Sequence, residues 1–156
     1  MGPDLTRRTS LRALSAAAVI GLPAAHAAAA ASPPRVTEIA RGLAHPWSLA
    51  FLPDGRMLVT ERPGRLRIIG RDGRASAPLA GVPAVFARGQ GGLLDLVPGP
   101  GFARDGSLFL SFSEPADAGA RTAVARAELV DGPTPALRGT RTIFAQRSCY
   151  DELLDA

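Results

Sequence analysis

Four Asp-Gly pairs divide the sequence after residue 50 into short segments, and they constrain the fold more than any other feature. They are Asp54-Gly55, Asp72-Gly73, Asp105-Gly106 and Asp131-Gly132. Asp-Gly supplies the positive φ angles of tight turns between antiparallel strands. The apolar runs between the pairs have the length of strands and lack the sustained three- and four-residue spacing of helices. The pattern therefore predicts an all-β chain.

The apolar runs fall into two sets of four predicted strands, with one isolated predicted strand, Val36–Ala40, ahead of both. Helix is an alternative for residues 121–129, where alanines dilute the pattern. The first set comprises Ser48–Leu52, Arg56–Glu61, Arg65–Ile69 and Ser76–Ala80, and the second comprises Gly92–Val97, Ser107–Ser113, Thr122–Val130 and Leu137–Phe144.

The two sets resemble each other. Asp54 and Asp105 lie 51 residues apart, and each follows an aromatic residue, Phe51 or Phe102, and precedes an apolar strand. A four-strand unit that repeats every ~40–50 residues is typical of a β-propeller blade. We therefore expect part of a β-propeller, with a β-sandwich as the alternative.

The N-terminal 27 residues predict an export signal peptide. The pair Arg7-Arg8 precedes an apolar, alanine-rich run, Ala13–Ala25, and Ala25-His26-Ala27 is typical of a cleavage site. The pattern resembles a twin-arginine signal, and a general secretory signal is the alternative. We expect cleavage after Ala27, an exported protein of the bacterial periplasm, a linker over 28–35, and no stable membrane span after cleavage.

Charge and cysteine content exclude several classes of site. All 18 basic residues are Arg, and the net charge is +4. Without Lys, the chain has neither a Schiff-base lysine nor a P-loop. The arginines are dispersed and are not interleaved with aromatic residues, so no nucleic-acid partner is expected. The single Cys149 excludes an internal disulfide and a cysteine-based zinc site.

Two segments resemble the soluble PQQ-dependent sugar (aldose) dehydrogenases of the glucose/sorbosone dehydrogenase family. Residues 42–62 read GLAHPWSLAFLPDGRMLVTER and are followed by Gly64-Arg65-Leu66. Residues 89–96 read GQGGLLDL and are followed by Phe102-Ala103 and, at 108–111, LFLS. The resemblance covers about 36 to 146 and implies a six-bladed β-propeller. Residues 36–146 would then form a partial β-propeller of about two to two and a half blades.

The resemblance also implies a chemistry and one binding residue. Members of the family oxidise aldose sugars to lactones with PQQ and Ca²⁺, a histidine acts as the general base, and a separate electron acceptor is a partner. Gln90 matches the family's glutamine at the mouth of the active site, where it touches substrate close to the cofactor. Its amide can donate to and accept from a sugar hydroxyl, and its flanking glycines would let the backbone approach a flat ligand. A glutamine in a glycine-rich turn without a ligand is the alternative.

The remaining candidates have structural interpretations, and no catalytic or metal-binding residue is assigned. We expect His45 in a loop at the entrance of a strand and Trp47 as a packing anchor between blades. Asp95 is expected to be a satisfied polar group near the channel, and Glu61 to pair with an Arg on a solvated or salt-bridged face. Asp54 and Asp105 are expected to form turns.

The sequence departs from the family pattern after residue 146. The family's Gly-Asn-His-Phe-Gly type segment, which carries the base, is replaced by a divergent tail over 147–156 that contains no His and no Asn. We therefore expect a truncated or frameshifted N-terminal fragment that is inactive as an oxidoreductase. The alternative is a non-catalytic propeller module that binds a ligand or a protein.

Overall fold

The structure is a computed structural model, and it describes residues 34–117 and 119–149. The predicted signal peptide lies outside these residues. The described residues from Val36 onward belong to one compact unit. The elements are β1 (Pro46–Phe51), β2 (Met57–Glu61), β3 (Arg65–Ile69), β4 (Leu93–Pro98), α1 (Phe102–Asp105), β5 (Ser107–Ala116), β6 (Gly119–Val130) and β7 (Ala136–Ala145). The all-β prediction is confirmed.

The first sheet is an antiparallel meander in the order β1-β2-β3. The predicted fourth strand, Ser76–Ala80, runs beside β3, where the Ser76 N–H donates to the Ile68 carbonyl at 2.8 Å, but it does not form a regular strand. The reason is local: the Ile68 N–H bonds to the Ser76 hydroxyl at 3.0 Å instead of to a backbone carbonyl, and Pro78 has no N–H to donate.

The second sheet is an antiparallel meander of four strands, β4-β5-β6-β7. The hairpin β5–β6 pairs continuously from Ser107↔Glu128 to Ala116↔Gly119. Buried side chains alternate along β6, at Ala123, Ala125, Ala127 and Leu129. A period of two is that of a strand, so the alternative of a helix over 121–129 is wrong.

Two local predictions also differ from the structure. Val36–Ala40 is not a strand, and Val36 is 93% exposed, so it has no packing surface to hold it extended. The turn before Asp105-Gly106 contains the short helix α1, which ends at Gly106 with a φ of 62°. Asp54-Gly55, its counterpart in the first sheet, lies in a turn that contains no helix.

A single hydrophobic core joins the two sheets. It includes Leu58 and Leu66 of the first sheet and Leu93, Leu108 and Phe112 of the second. The first strands of the two sheets, β1 and β4, lie side by side. The core therefore fixes the position of one sheet against the other.

Strand β1 has one covered and one open side. Ala50 packs against the core, whereas Trp47, Leu49 and Phe51 on the alternate side are 52%, 49% and 73% exposed. Trp47 does not pack between the two described sheets, because alternation along the strand directs it away from the second sheet. Its role as a packing anchor between blades stays a prediction.

The connections lie at two opposite ends of the sheets. The Asp-Gly end carries the four Asp-Gly turns, and the glycine of each pair has a positive φ, so the turn prediction is confirmed. The Gln90 end carries the segment before β1, with His45, the turn Arg62–Gly64 after β2, and the turn Arg88–Gly91 before β4. Among the described residues, no helix is long and apolar enough to cross a bilayer.

Candidate functional site

Gln90 lies exposed on a tight turn at the Gln90 end. The Gly91 N–H closes the turn by donating to the Arg88 carbonyl at 2.7 Å, and Gly89 adopts a φ of 48°. The Gln90 side chain has no hydrogen bond to another described residue. The turn therefore presents an amide whose donor and acceptor are both available to a ligand.

The glycines after Gln90 serve internal packing. A Cβ at Gly91 would lie 2.6 Å from the Phe86 carbonyl oxygen, and a Cβ at Gly92 would lie 2.2 Å from that of Arg62. Both glycines are buried. The expectation that these glycines let the backbone approach a ligand is wrong for Gly91 and Gly92, since their space is filled by the chain itself.

Arg62 connects the three segments of the Gln90 end. Its N–H donates to the His45 carbonyl at 3.0 Å, and its carbonyl accepts from the Leu93 N–H at 2.9 Å. Its guanidinium donates to the Gly89 carbonyl. No carboxylate among the described residues pairs with Arg62, so its positive charge is available to a ligand.

His45 lies in the loop before β1, as predicted. Its φ of 49° is uncommon for a residue other than glycine. With Pro46, Trp47 and Arg62 it lines an open groove of about 250 Å³. The loop is held to the end of β2 by the His45 carbonyl, which accepts from the Arg62 N–H, and by the Ala44 N–H, which donates to Glu61.

Glu61 is fully buried and accepts three hydrogen bonds. The donors are the Ala44 N–H at 2.6 Å, Arg65 Nε at 2.5 Å and Arg67 Nε at 3.0 Å. Burial opposes ionisation, but the hydrogen bonds from Ala44, Arg67 and Arg65 outweigh it and hold the pKa of Glu61 below its ordinary value. The predicted arginine partner is confirmed, whereas the solvated surface is wrong.

Asp95 and Thr60 tie the first strands of the two sheets together. Asp95 Oδ1 accepts from the Ser48 hydroxyl at 2.6 Å and from the Leu96 N–H at 2.8 Å, which fits the prediction of a satisfied polar group. The Thr60 hydroxyl donates to the Leu94 carbonyl at 2.7 Å and accepts from the Ser48 N–H at 3.0 Å.

Sequence reasoning assigned no joint role to Thr60, Glu61 and Arg62, although they are consecutive at the end of β2. Their side chains bond to the β4 backbone, the segment before β1 and the Gln90 turn, respectively. One signal was available: the hairpin register places Glu61 directly opposite Arg65, and opposite charges on facing strands stabilise each other.

The Asp-Gly end is held by ion pairs. Arg56 bonds to Asp131 and also to Asp54, the latter at 2.6 Å, and these contacts raise the pKa of Arg56. The Arg56 hydrogen bond in turn lowers the pKa of Asp131. Asp54 Oδ1 accepts from the Arg56 N–H at 3.0 Å, which is the geometry of a turn former. Asp105 accepts in the same way from the Ser107 N–H at 2.9 Å.

Within the described residues, no group of three or more His, Cys, Asp or Glu side chains could hold a metal ion. The carboxylates of Asp54, Glu61 and Asp95 already accept hydrogen bonds from Arg or backbone groups.

Comparison with known proteins gives one consistent family. Residues 43–153 match the family model for glucose/sorbosone dehydrogenases. The aldose sugar dehydrogenase YliI of Escherichia coli strain K12 is 50% identical over 106 residues, which are 67% of this chain and 28% of that protein.

Solved structures agree with the sequence comparison. A crystal structure of glucose dehydrogenase matches with a TM-score of 0.71 and 47% identity, over 74% of this chain and 34% of that one. The PQQ-bound aldose sugar dehydrogenase of Streptomyces coelicolor matches with a TM-score of 0.63 and 30% identity, over 71% and 33%. This chain thus spans about a third or less of the length of these relatives.

The predicted β-propeller class is confirmed by these matches, and the two described sheets are consecutive blades. The family match includes both the His45–Arg62 segment and the Gln90 turn. On its sequence and its fold, the chain belongs to the glucose/sorbosone dehydrogenase family.

Proposed function

We propose that this chain supplies part of the sugar-binding mouth of a PQQ-dependent aldose dehydrogenase, with Gln90 touching the sugar. The observation that carries the proposal is the exposed Gln90 amide, which has no partner among the described residues and stands on a turn closed at 2.7 Å. An amide that can both donate and accept is suited to a sugar hydroxyl.

The residues at the Gln90 end fit part of the surroundings of PQQ, a flat quinone with carboxylate groups. Gln90 offers an amide, and Arg62 offers a cation that no described carboxylate neutralises. Arginine binds planar carboxylates well. Among the described residues, no group of three or more acidic or histidine side chains is placed to hold Ca²⁺, so backbone carbonyls or residues outside this range would have to contribute ligands.

The chemistry that PQQ supplies when bound is the two-electron oxidation of the sugar. In the proposed site, Gln90 orients the sugar by hydrogen bonding to a hydroxyl, and Arg62 favours negative charge nearby. The chain has two histidines, His26 and His45. His26 precedes the predicted cleavage site, and His45 keeps the loop role predicted from its place before β1; neither is proposed as the general base.

A binding experiment tests the role of Gln90. The full chain, labelled with ¹⁵N, is titrated with glucose while the side-chain amide signals of its two glutamines are followed. We expect the Gln90 signal to shift saturably and that of Gln146, at the end of β7, to stay in place. Equal shifts at both glutamines, or no shift at Gln90, would contradict the proposal.

A turnover experiment tests the absence of a base. The full chain is mixed with PQQ, Ca²⁺ and an aldose, and the reduction of a dye that serves as electron acceptor is recorded. We expect no turnover above a control without protein, because proton removal from the sugar needs a base within hydrogen-bonding reach. Aldose-dependent dye reduction would refute this expectation.

We also propose export to the periplasm, on the strength of Arg7-Arg8 and the Ala25-His26-Ala27 site. N-terminal sequencing of the exported protein should find Ala28 first. Replacing Arg7 and Arg8 by Lys should block export by the twin-arginine route and leave the general secretory route unaffected. An uncleaved protein retained in the cytoplasm would exclude both.

A further inference from the structure

We infer that Arg62 is a positioning residue for Gln90, which it orients through the peptide bond between Gly89 and Gln90. The inference rests on the proposed contact between Gln90 and a sugar. Its structural basis is the hydrogen bond from the Arg62 guanidinium to the Gly89 carbonyl.

The Gly89 carbonyl is a sensitive point at which to hold this turn. It belongs to the same planar peptide unit as the Gln90 N–H, so a bond to the oxygen fixes the plane from which the Gln90 Cα extends. Gly89 has a φ of 48°, and a glycine changes its backbone angles at little steric cost. Without the bond, rotation of this peptide would turn the Gln90 side chain away from its present direction.

Arg62 is itself held firmly enough to act as an anchor. Its own N–H and carbonyl bond to His45 and Leu93 at 3.0 and 2.9 Å. Its carbonyl oxygen also occupies the space that a Cβ at Gly92 would need. The main chain of Arg62 is therefore fixed against both the segment before β1 and the start of β4, and its side chain reaches from this fixed base to the turn.

Nothing else described competes for the Arg62 side chain. Arg65 and Arg67, on the next strand, are both bonded to Glu61, whereas Arg62 has no carboxylate partner within residues 34–117 and 119–149. The bond to Gly89 is thus the contact that determines where the guanidinium lies.

The opposite end of the molecule offers a matched control. Arg71 also donates from its guanidinium to a backbone carbonyl in a turn, that of Asp54. Arg71→Gln therefore removes the same kind of bond and the same charge, but far from Gln90. Arg62→Lys keeps a charge and one donor, while Arg62→Gln and Arg62→Met remove the guanidinium and keep much of the side-chain stem.

The test measures backbone order and glucose binding in the full chain by ¹⁵N NMR. In Arg62→Gln we expect the order parameters of Gly89 and Gln90 to fall from about 0.85 to below about 0.6, and glucose affinity at Gln90 to fall about tenfold. Leu93 should keep its order, because it bonds to the main chain at position 62. Arg62→Lys should restore most of both quantities, and Arg71→Gln should change neither.

The outcomes separate this inference from the proposed function. Unchanged order at Gln90 in both Arg62→Gln and Arg62→Met, or an equal loss in Arg71→Gln, would overturn the positioning role. If the wild-type protein shows no glucose-induced shift but Arg62→Gln still disorders the turn, the proposed contact between Gln90 and a sugar is wrong and the positioning role of Arg62 is supported. If Arg62→Gln does not fold, Arg62→Met provides the same comparison.

Discussion

The two ends of the molecule contain similar residue types but use them differently. At the Asp-Gly end, Arg56 is neutralised by Asp54 and Asp131, so the charges there satisfy one another at the surface. At the Gln90 end, the buried carboxylate of Glu61 is paired with two partly exposed arginines, while Gln90 and Arg62 keep free donors. At the Asp-Gly end the ion pair of Arg56 stabilises the fold, whereas at the Gln90 end polar groups of Gln90 and Arg62 have no partner among the described residues.

This difference shows where a ligand can gain free energy. A group that already has its partners must lose them before it binds a ligand, whereas an open donor on a rigidly held main chain loses little. The internal bonds of Thr60 and Glu61 provide that rigidity at the Gln90 end, because they tie β2 to β4 and to the segment before β1. Thr60 and Glu61 at the end of β2 therefore stabilise the fold, and the next residue, Arg62, offers unbonded donors to a ligand.

Of the substitutions that test this difference, Glu61→Gln should lower the free energy of unfolding most. It removes the charge from a fully buried group with three donors. Because its two arginine partners are partly exposed and can be solvated, the expected loss is about 1.5–3 kcal/mol, that of hydrogen bonds to a charged group. Urea unfolding at neutral pH would measure the loss. A loss below that of Asp131→Asn, at the other end, would contradict the assigned difference.

The Glu61 carboxylate should also contribute to the loss of stability at acidic pH. Because folding lowers the pKa of Glu61, its contribution is complete above the unfolded pKa and is lost as pH falls through the lower folded pKa. Wild-type stability should therefore drop more steeply below about pH 4.5 than that of Glu61→Gln. Parallel curves of unfolding free energy against pH would refute this.

Alanine substitutions at Gly92 and Gly132 compare the two ends at nearly equal φ angles. Gly92 and Gly132 have φ values of 140° and 146°, but a Cβ at Gly92 would strike the Arg62 carbonyl at 2.2 Å, whereas Gly132 has open space around it. Backbone strain of this kind costs about 1–3 kcal/mol. Gly92→Ala should cost more than Gly132→Ala, as measured by thermal unfolding, and equal costs would show that the contact with Arg62 is unimportant.

Asp131→Asn should have the smallest effect. Its partner Arg56 is bonded at the surface, and Asp131 is 52% exposed, so the expected loss is about 1 kcal/mol or less. Because its pKa is lowered, the contribution should disappear as pH falls below about 4. It should also shrink at 1 M NaCl, and a loss that salt does not change would argue for a role other than surface charge.

The sequence predicted the turns and strands better than the contacts. Asp-Gly pairs act locally, so their turns and the strands between them could be located, and Arg65–Ile69 was predicted to the residue. Ser76–Ala80 failed because a serine hydroxyl replaced a backbone acceptor, which no strand pattern reveals.

The candidate site was predictable in part for a similar reason. Gln90 could be found because it stands in a recognisable glycine-rich segment. Arg62 could not, since its role depends on bonds to residues 17 positions before it and 27 after it along the chain. Burial of Glu61 was hidden because its two arginine partners made the segment resemble a charged surface.

The position of Trp47 has a practical consequence. It is the only tryptophan of the chain, it is half exposed, and it lines the same groove as Arg62. Its emission spectrum is thus an intrinsic optical reporter for one end of the protein, whereas circular dichroism averages over both. A variant whose tryptophan emission wavelength changes while its circular dichroism spectrum does not has been altered locally, at the Gln90 end.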